Sequence, residues 1–153
     1  MKLAKRILLF LILNFGGLAY GSWLMNNGPL TQWYTSLNKA PWTPPGWVFG
    51  IAWTLIMICF SIYLGYLFLK SDTLQLRLAV AFQLVLNVSW NYVFFNQHKI
   101  AFALVVISTL TIVVFTFFFC NRKKMHAKSY LLFPYMIWML IATSLNAYIL
   151  VNN

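Results

Sequence analysis

Residues 100–120 read IAFALVVISTLTIVVFTFFFC, a stretch without a single charged side chain. A helix of about 20 apolar residues is long enough to cross roughly 30 Å of bilayer hydrocarbon. The stretch stays apolar on every face, whereas a transmembrane β-strand would alternate apolar and polar residues. This stretch therefore predicts a membrane-spanning α-helix.

Four further stretches have the same character, at residues 7–25, 46–69, 76–95 and 129–151. Every charged residue lies outside the five stretches except Arg77, whose long aliphatic stem can carry its charge to the headgroups. The sequence thus predicts an all-α membrane protein, with residues 1–153 forming a single domain built as a bundle of five transmembrane helices.

The composition excludes several classes of protein. Of 153 residues, 62% are hydrophobic and 8% are charged, against roughly 25% charged in soluble proteins, so a soluble enzyme is excluded. The net charge of +10 is divided among short clusters and forms no continuous basic stripe, so we expect no nucleic-acid partner. The cysteines lie inside apolar stretches and the two histidines at opposite ends of the fourth helix, so neither a disulfide framework nor a metal site is predicted. No acidic residue falls within a helix, which disfavours ion-coupled transport.

The basic residues are distributed unevenly between the two ends of the bundle. Two, Lys39 and Lys99, fall on the side opposite the N-terminus; nine fall on the N-terminal side, namely Lys2, Lys5, Arg6, Lys70, Arg77, Arg122, Lys123, Lys124 and Lys128. The positive-inside rule then predicts a cytoplasmic N-terminus. We expect a bacterial cell membrane, with the mitochondrial outer membrane as the alternative. A cleavable signal peptide is a competing interpretation of the basic, then apolar, start of the chain.

The one long connection, residues 26–45, reads NNGPLTQWYTSLNKAPWTPP. Pro44 and Pro45 suit the start of the second helix, where a missing N–H costs nothing. Two interpretations fit its tryptophans and tyrosine: an aromatic belt at the headgroups, or a lid over a cavity.

Unusual side chains recur at matching depth beneath this loop. A rise of 1.5 Å per residue places Trp53, Asn87, Trp90, Ala142 and Asn146 roughly 8 to 14 Å from the outer helix ends. Helical spacing puts Phe49 with Trp53, and Phe94 with Asn87, on shared faces. An amide is costly in hydrocarbon without a partner, so each asparagine must bond either another helix or a ligand. Together these side chains predict an aromatic-walled cavity for a flat apolar molecule with a polar edge.

Three separated motifs carry a family resemblance. The loop contains Trp33-Tyr34-x-x-Leu37-x-Lys39 and Pro41-Trp42-Thr43-Pro44-Pro45-Gly46-Trp47-x-Phe49, followed by Trp53-Thr54; the third and fifth helices contain Asn87-x-x-Trp90-x-x-x-Phe94-Phe95 and Pro134-Tyr135-x-x-Trp138-x-x-x-Ala142-Thr143-x-Leu145-Asn146. This pattern resembles the translocator protein family (TspO, peripheral benzodiazepine receptor).

The resemblance implies a five-helix bundle, commonly a homodimer, whose pocket under the first loop binds porphyrins such as protoporphyrin IX and other aromatic ligands. No cofactor is required. Family pocket positions correspond to Tyr34, Pro44, Trp53, Asn87, Trp138 and Ala142. With the depth-matched side chains, the predicted ligand-binding set is Tyr34, Pro44, Trp47, Phe49, Trp53, Asn87, Trp90, Phe94, Trp138, Ala142 and Asn146.

The predicted function is binding of protoporphyrin IX or a haem-type tetrapyrrole, in sensing, scavenging or transport. The alternative is an enzyme that degrades porphyrin with light and oxygen, for which the resemblance implicates Trp53 and Trp138. A further alternative is a translocator of sterols, lipids or small molecules. The sequence departs from the family where Met57 replaces a usual tyrosine and where Tyr148 is followed by no basic residue; cholesterol is therefore not the expected ligand.

Overall fold

The computed structural model describes residues 2–153, and no β-strand occurs within that range. The described residues form six α-helices: α1 (Lys2–Leu24), the short α2 (Gln32–Ser36), α3 (Gly46–Lys70), α4 (Leu74–Asn91), α5 (Ile100–Met125) and α6 (Phe133–Asn152). Gly28–Leu30 and His126–Leu132 form 3₁₀ turns, and Tyr92–Asn96 forms a π-turn. The all-helical prediction is confirmed.

Between residues 2 and 153, four stretches are long and apolar enough to span a membrane: Lys2–Leu30, Gly46–Lys70, Leu74–Asn96 and Ile100–Asn152. The last contains 53 residues, far more than the roughly 20 that one crossing needs. At His126 the backbone adopts φ 49° and ψ −130°, which ends α5. The chain then reverses, and Thr111 of α5 meets Thr143 of α6 with 3.0 Å between the hydroxyl oxygens. The fourth stretch therefore contains two long helices, α5 and α6, so the four stretches together contain five long helices.

The helix bounds differ from the predicted ones mainly at the ends. α1 begins at Lys2 rather than 7, and α5 continues to Met125 rather than 120. Both extensions carry basic residues, which can lie among the lipid headgroups. A helix can therefore continue past the hydrocarbon into the headgroup layer. α6 begins at Phe133 rather than 129, and Pro134 occupies its first turn, where proline is tolerated.

The long helices form a closed ring. α1 packs against α3 and α4, α4 against α5, α5 against α6, and α6 against α3. Small residues permit the α1–α4 contact, because a Cβ added at Gly17 would lie 2.5 Å from Leu84 Cδ1 and one at Gly21 would lie 2.7 Å from Asn91 Nδ2. This glycine spacing therefore serves packing within one chain, and dimerisation stays a prediction.

The half of the bundle farther from the 26–45 loop is filled by aromatic rings. Phe60 and Tyr63 of α3 meet Phe117 of α5 and Tyr135 of α6, with Phe60 5.9 Å from Phe117 and 5.3 Å from Tyr135 between ring centroids. The Tyr63 hydroxyl donates a hydrogen bond of 2.9 Å to the Phe117 carbonyl oxygen. All four side chains are buried. We call these four residues the aromatic floor.

Candidate ligand cavity

Residues 26–45 fold into an ordered cover, which we call the lid. Thr31 caps α2: its Oγ1 accepts a hydrogen bond from the Tyr34 amide at 3.3 Å and donates one to the Gly28 carbonyl at 2.6 Å. Gly28 itself packs directly on Phe95, and an added Cβ would overlap that ring. The lid therefore rests on the end of α4 with no room for a side chain at the contact.

The lid is also fastened to the end of α6. The Asn38 amide donates to Asn153 Oδ1 at 2.9 Å, and Asn153 Nδ2 donates back to the Asn38 carbonyl at 3.3 Å. Trp42 Nε1 donates to Ser144 Oγ at 3.2 Å, and the Trp42 ring stands edge-on to Tyr148. These contacts join two segments more than 100 residues apart in sequence.

Aromatic stacking holds the middle of the lid on the π-turn. Trp33 stacks on His98 with ring centroids 4.0 Å apart, and Tyr34 lies 5.2 Å from Phe95. Lys39 Nζ sits 5.0 Å above the Tyr34 ring. Burial raises the pKa of Tyr34, so this phenol remains a neutral hydrogen-bonding group.

The lid closes over a small space that we call the lid chamber, with a volume of about 40 Å³. Its walls come from the lid, α3, α4, the π-turn and α6: Tyr34, Thr43, Phe49, Trp90, Phe94, Phe95, Ala142, Leu145, Asn146 and Ile149. The walls are almost entirely aromatic or aliphatic.

A second space, the side chamber, has a volume of about 270 Å³ and lies between α1, α3 and α4. Its lining comprises Gly17, Leu18, Ser22, Met25, Phe49, Gly50, Trp53, Thr54, Asn87 and Asn91. This chamber is more polar than the lid chamber, because hydroxyl and amide groups share its walls with one indole.

Phe49 is the residue common to both chambers. Its ring stands edge-on to the indole of Trp138, with ring centroids 5.1 Å apart and an interplanar angle of 87°. Phe49 is half-buried. Phe49 therefore forms part of the wall of both chambers and also contacts Trp138.

The polar groups around the chambers differ in whether they have partners. Asn146 is fully engaged: its Oδ1 accepts from Trp90 Nε1 at 3.0 Å, and its Nδ2 donates to the Ile100 carbonyl at 3.2 Å. Asn87 lines the side chamber, and its side-chain amide makes no hydrogen bond within residues 2–153. Trp138 Nε1 is buried and likewise has no partner in this part of the chain. Asn87 is thus an unpartnered polar group in the wall of the side chamber, and Trp138, whose ring lies against Phe49, carries a second one that is buried.

Most residues of the predicted set converge here. Tyr34, Phe49, Trp90, Phe94, Ala142 and Asn146 line the lid chamber, Phe49, Trp53 and Asn87 line the side chamber, and Trp138 lies behind Phe49. Pro44 is half-buried beside the lining residue Thr43. Trp47 is 68% exposed and lines neither chamber.

Sequence reasoning missed several lining residues. The predicted set omits Phe95, although the third-helix motif contains it beside Phe94. The π-turn, in which the Gln97 amide donates to the Tyr92 carbonyl at 3.0 Å, widens the helix so that Phe94 and Phe95 both reach the chamber. Ser22 of α1 and Met25, which follows that helix, belong to no motif that could have singled them out.

The fold and the site define an all-helical integral membrane protein with an aromatic cavity under an ordered lid. The TspO/MBR family model matches residues 9–151, and the chain belongs to that family. It is 33% identical to the tryptophan-rich protein TspO of Archaeoglobus fulgidus, over all of this chain and 97% of that protein. It is 33% identical to the tryptophan-rich sensory protein of Cereibacter sphaeroides (75% of this chain, 73% of that protein) and 28% identical to the translocator protein of Homo sapiens (78% and 74%).

Proposed function

We propose that this chain binds tetrapyrroles such as protoporphyrin IX between its lid and aromatic floor, in a bundle whose five long helices all cross the bilayer. The proposal rests on one observation: the lid chamber, whose walls are mainly aromatic, shares the wall residue Phe49 with the neighbouring side chamber. Flat conjugated molecules suit such walls, because ring faces and edges give favourable stacking geometry.

The closed chambers require a movement before a large ligand can enter. Pockets for drug-sized molecules occupy about 300–1,000 Å³, and neither the lid chamber nor the side chamber reaches that range. Turning Phe49 off Trp138 joins them. A tetrapyrrole then lies against Trp53 and Trp138, while Tyr34 and Phe94 cover it from the lid end.

The unpartnered polar groups give the bound ligand an orientation. Asn87 can donate to or accept from a polar edge of the macrocycle, and Trp138 Nε1 can donate. A buried amide or indole N–H without a partner is unfavourable, so a ligand that satisfies both gains affinity over a purely apolar one. A tetrapyrrole supplies both properties, an apolar face and carboxylate substituents.

The direct test is a titration of purified protein with protoporphyrin IX, followed through quenching of tryptophan fluorescence. We expect saturable quenching, with affinity lowered about tenfold in Trp138→Phe, which retains an aromatic ring and loses the N–H. Phe49→Ala should raise the association rate constant by at least fivefold, because the barrier between the chambers is gone. Ile51→Ala is the matched control, since Ile51 lies on α3 but is exposed on the bundle surface. Quenching that never saturates, or equal rates in F49A and I51A, would refute the proposal.

The same preparation distinguishes binding from porphyrin degradation. Trp53 stands edge-on to Tyr135 with ring centroids 6.1 Å apart, so an oxidised indole would have a phenol close by. Illumination with oxygen should produce a new absorption band that disappears in Trp53→Phe if the protein is an enzyme. If the bound porphyrin bleaches at the rate of free porphyrin, binding is the activity and degradation is not. Porphyrin flux into proteoliposomes that contain the protein would test transport.

A further inference from the structure

A cleft of about 420 Å³ lies at the end of the bundle opposite the lid, mainly between α1 and α4. Its walls are largely apolar and include Leu13 and Leu84, whereas its rim carries Arg6, Asp72 and Arg77. A charged rim on an apolar cleft matches a molecule with a charged head and a hydrocarbon tail. No part of the lid or of either chamber contributes to it.

The rim has one more positive than negative charge. Asp72 is the single acidic residue of the whole chain, and it accepts a hydrogen bond of 2.8 Å from Arg77 Nε. That hydrogen bond holds the pKa of Asp72 below its usual range, so the carboxylate is ionised at neutral pH. Arg6 Nη2 lies 3.9 Å from the other carboxylate oxygen. Two guanidinium groups therefore share one carboxylate.

Arg6 retains a donor that the protein does not use. Its Nη1 is buried, and no acceptor reaches it within the described residues. A buried donor of a charged group without a partner is costly. An anionic oxygen in the cleft would satisfy this donor and neutralise the excess charge of the rim.

The apolar part of the cleft continues along the helices. A groove of about 740 Å³ between α1 and α4 shares Leu13 and Leu84 with the cleft and runs on past Gly17 to Tyr20. From Arg6 to Tyr20 the helix rises about 21 Å, more than the roughly 15 Å that one leaflet contributes to the hydrocarbon. The groove is therefore long enough to hold an acyl chain over its whole length.

We propose that this cleft is a binding site for one anionic phospholipid, whose phosphate accepts hydrogen bonds from Arg6 and Arg77 and whose acyl chain lies in the α1–α4 groove. Basic side chains near a membrane surface attract anionic lipids with about a fivefold gain in affinity for each residue. In addition, the unused donor of Arg6 gives the phosphate a defined position, and the continuous groove gives the acyl chain one.

The experiment counts the lipids retained by the purified full-length protein in native mass spectrometry after exchange into micelles containing dioleoyl phosphatidylglycerol or dioleoyl phosphatidylcholine. We expect one retained phosphatidylglycerol, at least fivefold more occupied than phosphatidylcholine at equal concentration. The double variant R6Q/R77Q should lower phosphatidylglycerol affinity at least tenfold. R122Q/K123Q removes the same charge from exposed positions at the same end of the bundle and should change it less than twofold. Equal losses in the two double variants would overturn the proposal, because they would indicate attraction to general surface charge.

A second pair of variants tests the acyl chain. Ala81 lines the cleft, so Ala81→Trp should fill it and lower the occupancy of both lipids about tenfold. Ala101→Trp, on an exposed position of α5 that lines none of the described cavities, is the control. Unchanged occupancy in A81W would overturn the proposal, as would displacement of the lipid by millimolar glycerol 3-phosphate, a head group without a chain. Circular dichroism checks the fold of each variant, and porphyrin binding enters none of these readouts.

Discussion

Aromatic residues fill the interior in one half of the bundle and line cavities in the other half. In the aromatic floor, α3 meets α5 directly through Phe60, Tyr63 and Phe117, and the rings fill the interior. In the lid half, Phe49, Trp90 and Phe94 bound two chambers instead of filling them. Aromatic content therefore does not by itself predict a binding cavity. What matters is whether opposing helices come close enough for their rings to interlock.

The largest expected effect comes from truncating the aromatic floor. Phe60 is 0% exposed and touches three other rings, so Phe60→Ala leaves a cavity that costs about 3 kcal/mol in free energy of unfolding. The loss of stability is measured by thermal unfolding in detergent, with circular dichroism as the signal. Phe82→Ala is the control, since Phe82 is half-exposed on α4 and should cost little. Similar midpoints for F60A and F82A would show that the floor is not the stabilising half.

A smaller effect separates the two asparagines of the lid half. Asn146→Leu removes the acceptor of the Trp90 N–H and the side-chain donor to the Ile100 carbonyl. We expect this loss to destabilise the protein by about 2 kcal/mol. Asn87→Leu breaks no side-chain hydrogen bond within the described chain and should leave the unfolding temperature within a degree or two, while lowering protoporphyrin IX affinity about tenfold. Thermal unfolding and the fluorescence titration, run on both variants, check this. If N87L is the less stable of the two, Asn87 is a structural residue.

Loosening the lid should have an effect near 1 kcal/mol. Asn153→Ala removes both hydrogen bonds that its side chain makes with Asn38, and hydrogen exchange in residues 32–38 should accelerate about fivefold. Asn152→Ala is a closely matched control, because Asn152 bonds Asn38 through its backbone carbonyl and its side chain contacts Tyr148 instead. Equal exchange rates in N153A and N152A would show that these bonds do not hold the lid.

The smallest effect concerns Asp72 at the charged end. Its pKa is lowered in the folded protein, mainly by the hydrogen bond from Arg77. The associated stability is therefore present above its ordinary pKa of about 3.8 and is lost as the pH falls through the lower folded value. Because the pair is exposed and screened, we expect a shift of the unfolding temperature of about a degree between pH 5 and 3. Asp72→Asn should abolish that shift, and a variant that keeps it would assign the pH dependence to other groups.

Much of the lid half could be predicted before any coordinates. Helical spacing grouped Asn87 with Trp90 and Phe94, and these residues do lie together around the chambers. The predicted set omits Phe95, which lines the lid chamber from the π-turn at Tyr92–Asn96, where the regular helical repeat ends. Helical spacing also could not distinguish Trp47 from Trp53, since both lie on α3 with similar chemistry and their exposure depends on where α6 and the lid pack.

The sequence by itself determined that this chain is an all-helical membrane protein, because apolar runs without charge leave the backbone no partner in lipid but itself. It also determined the long aromatic loop at residues 26–45. The tertiary structure alone decided that Asn146 bonds two other helices while Asn87 lines the side chamber, and that Phe49 borders both chambers. Those outcomes depend on the relative rotation and separation of helices distant in sequence, which no local pattern encodes.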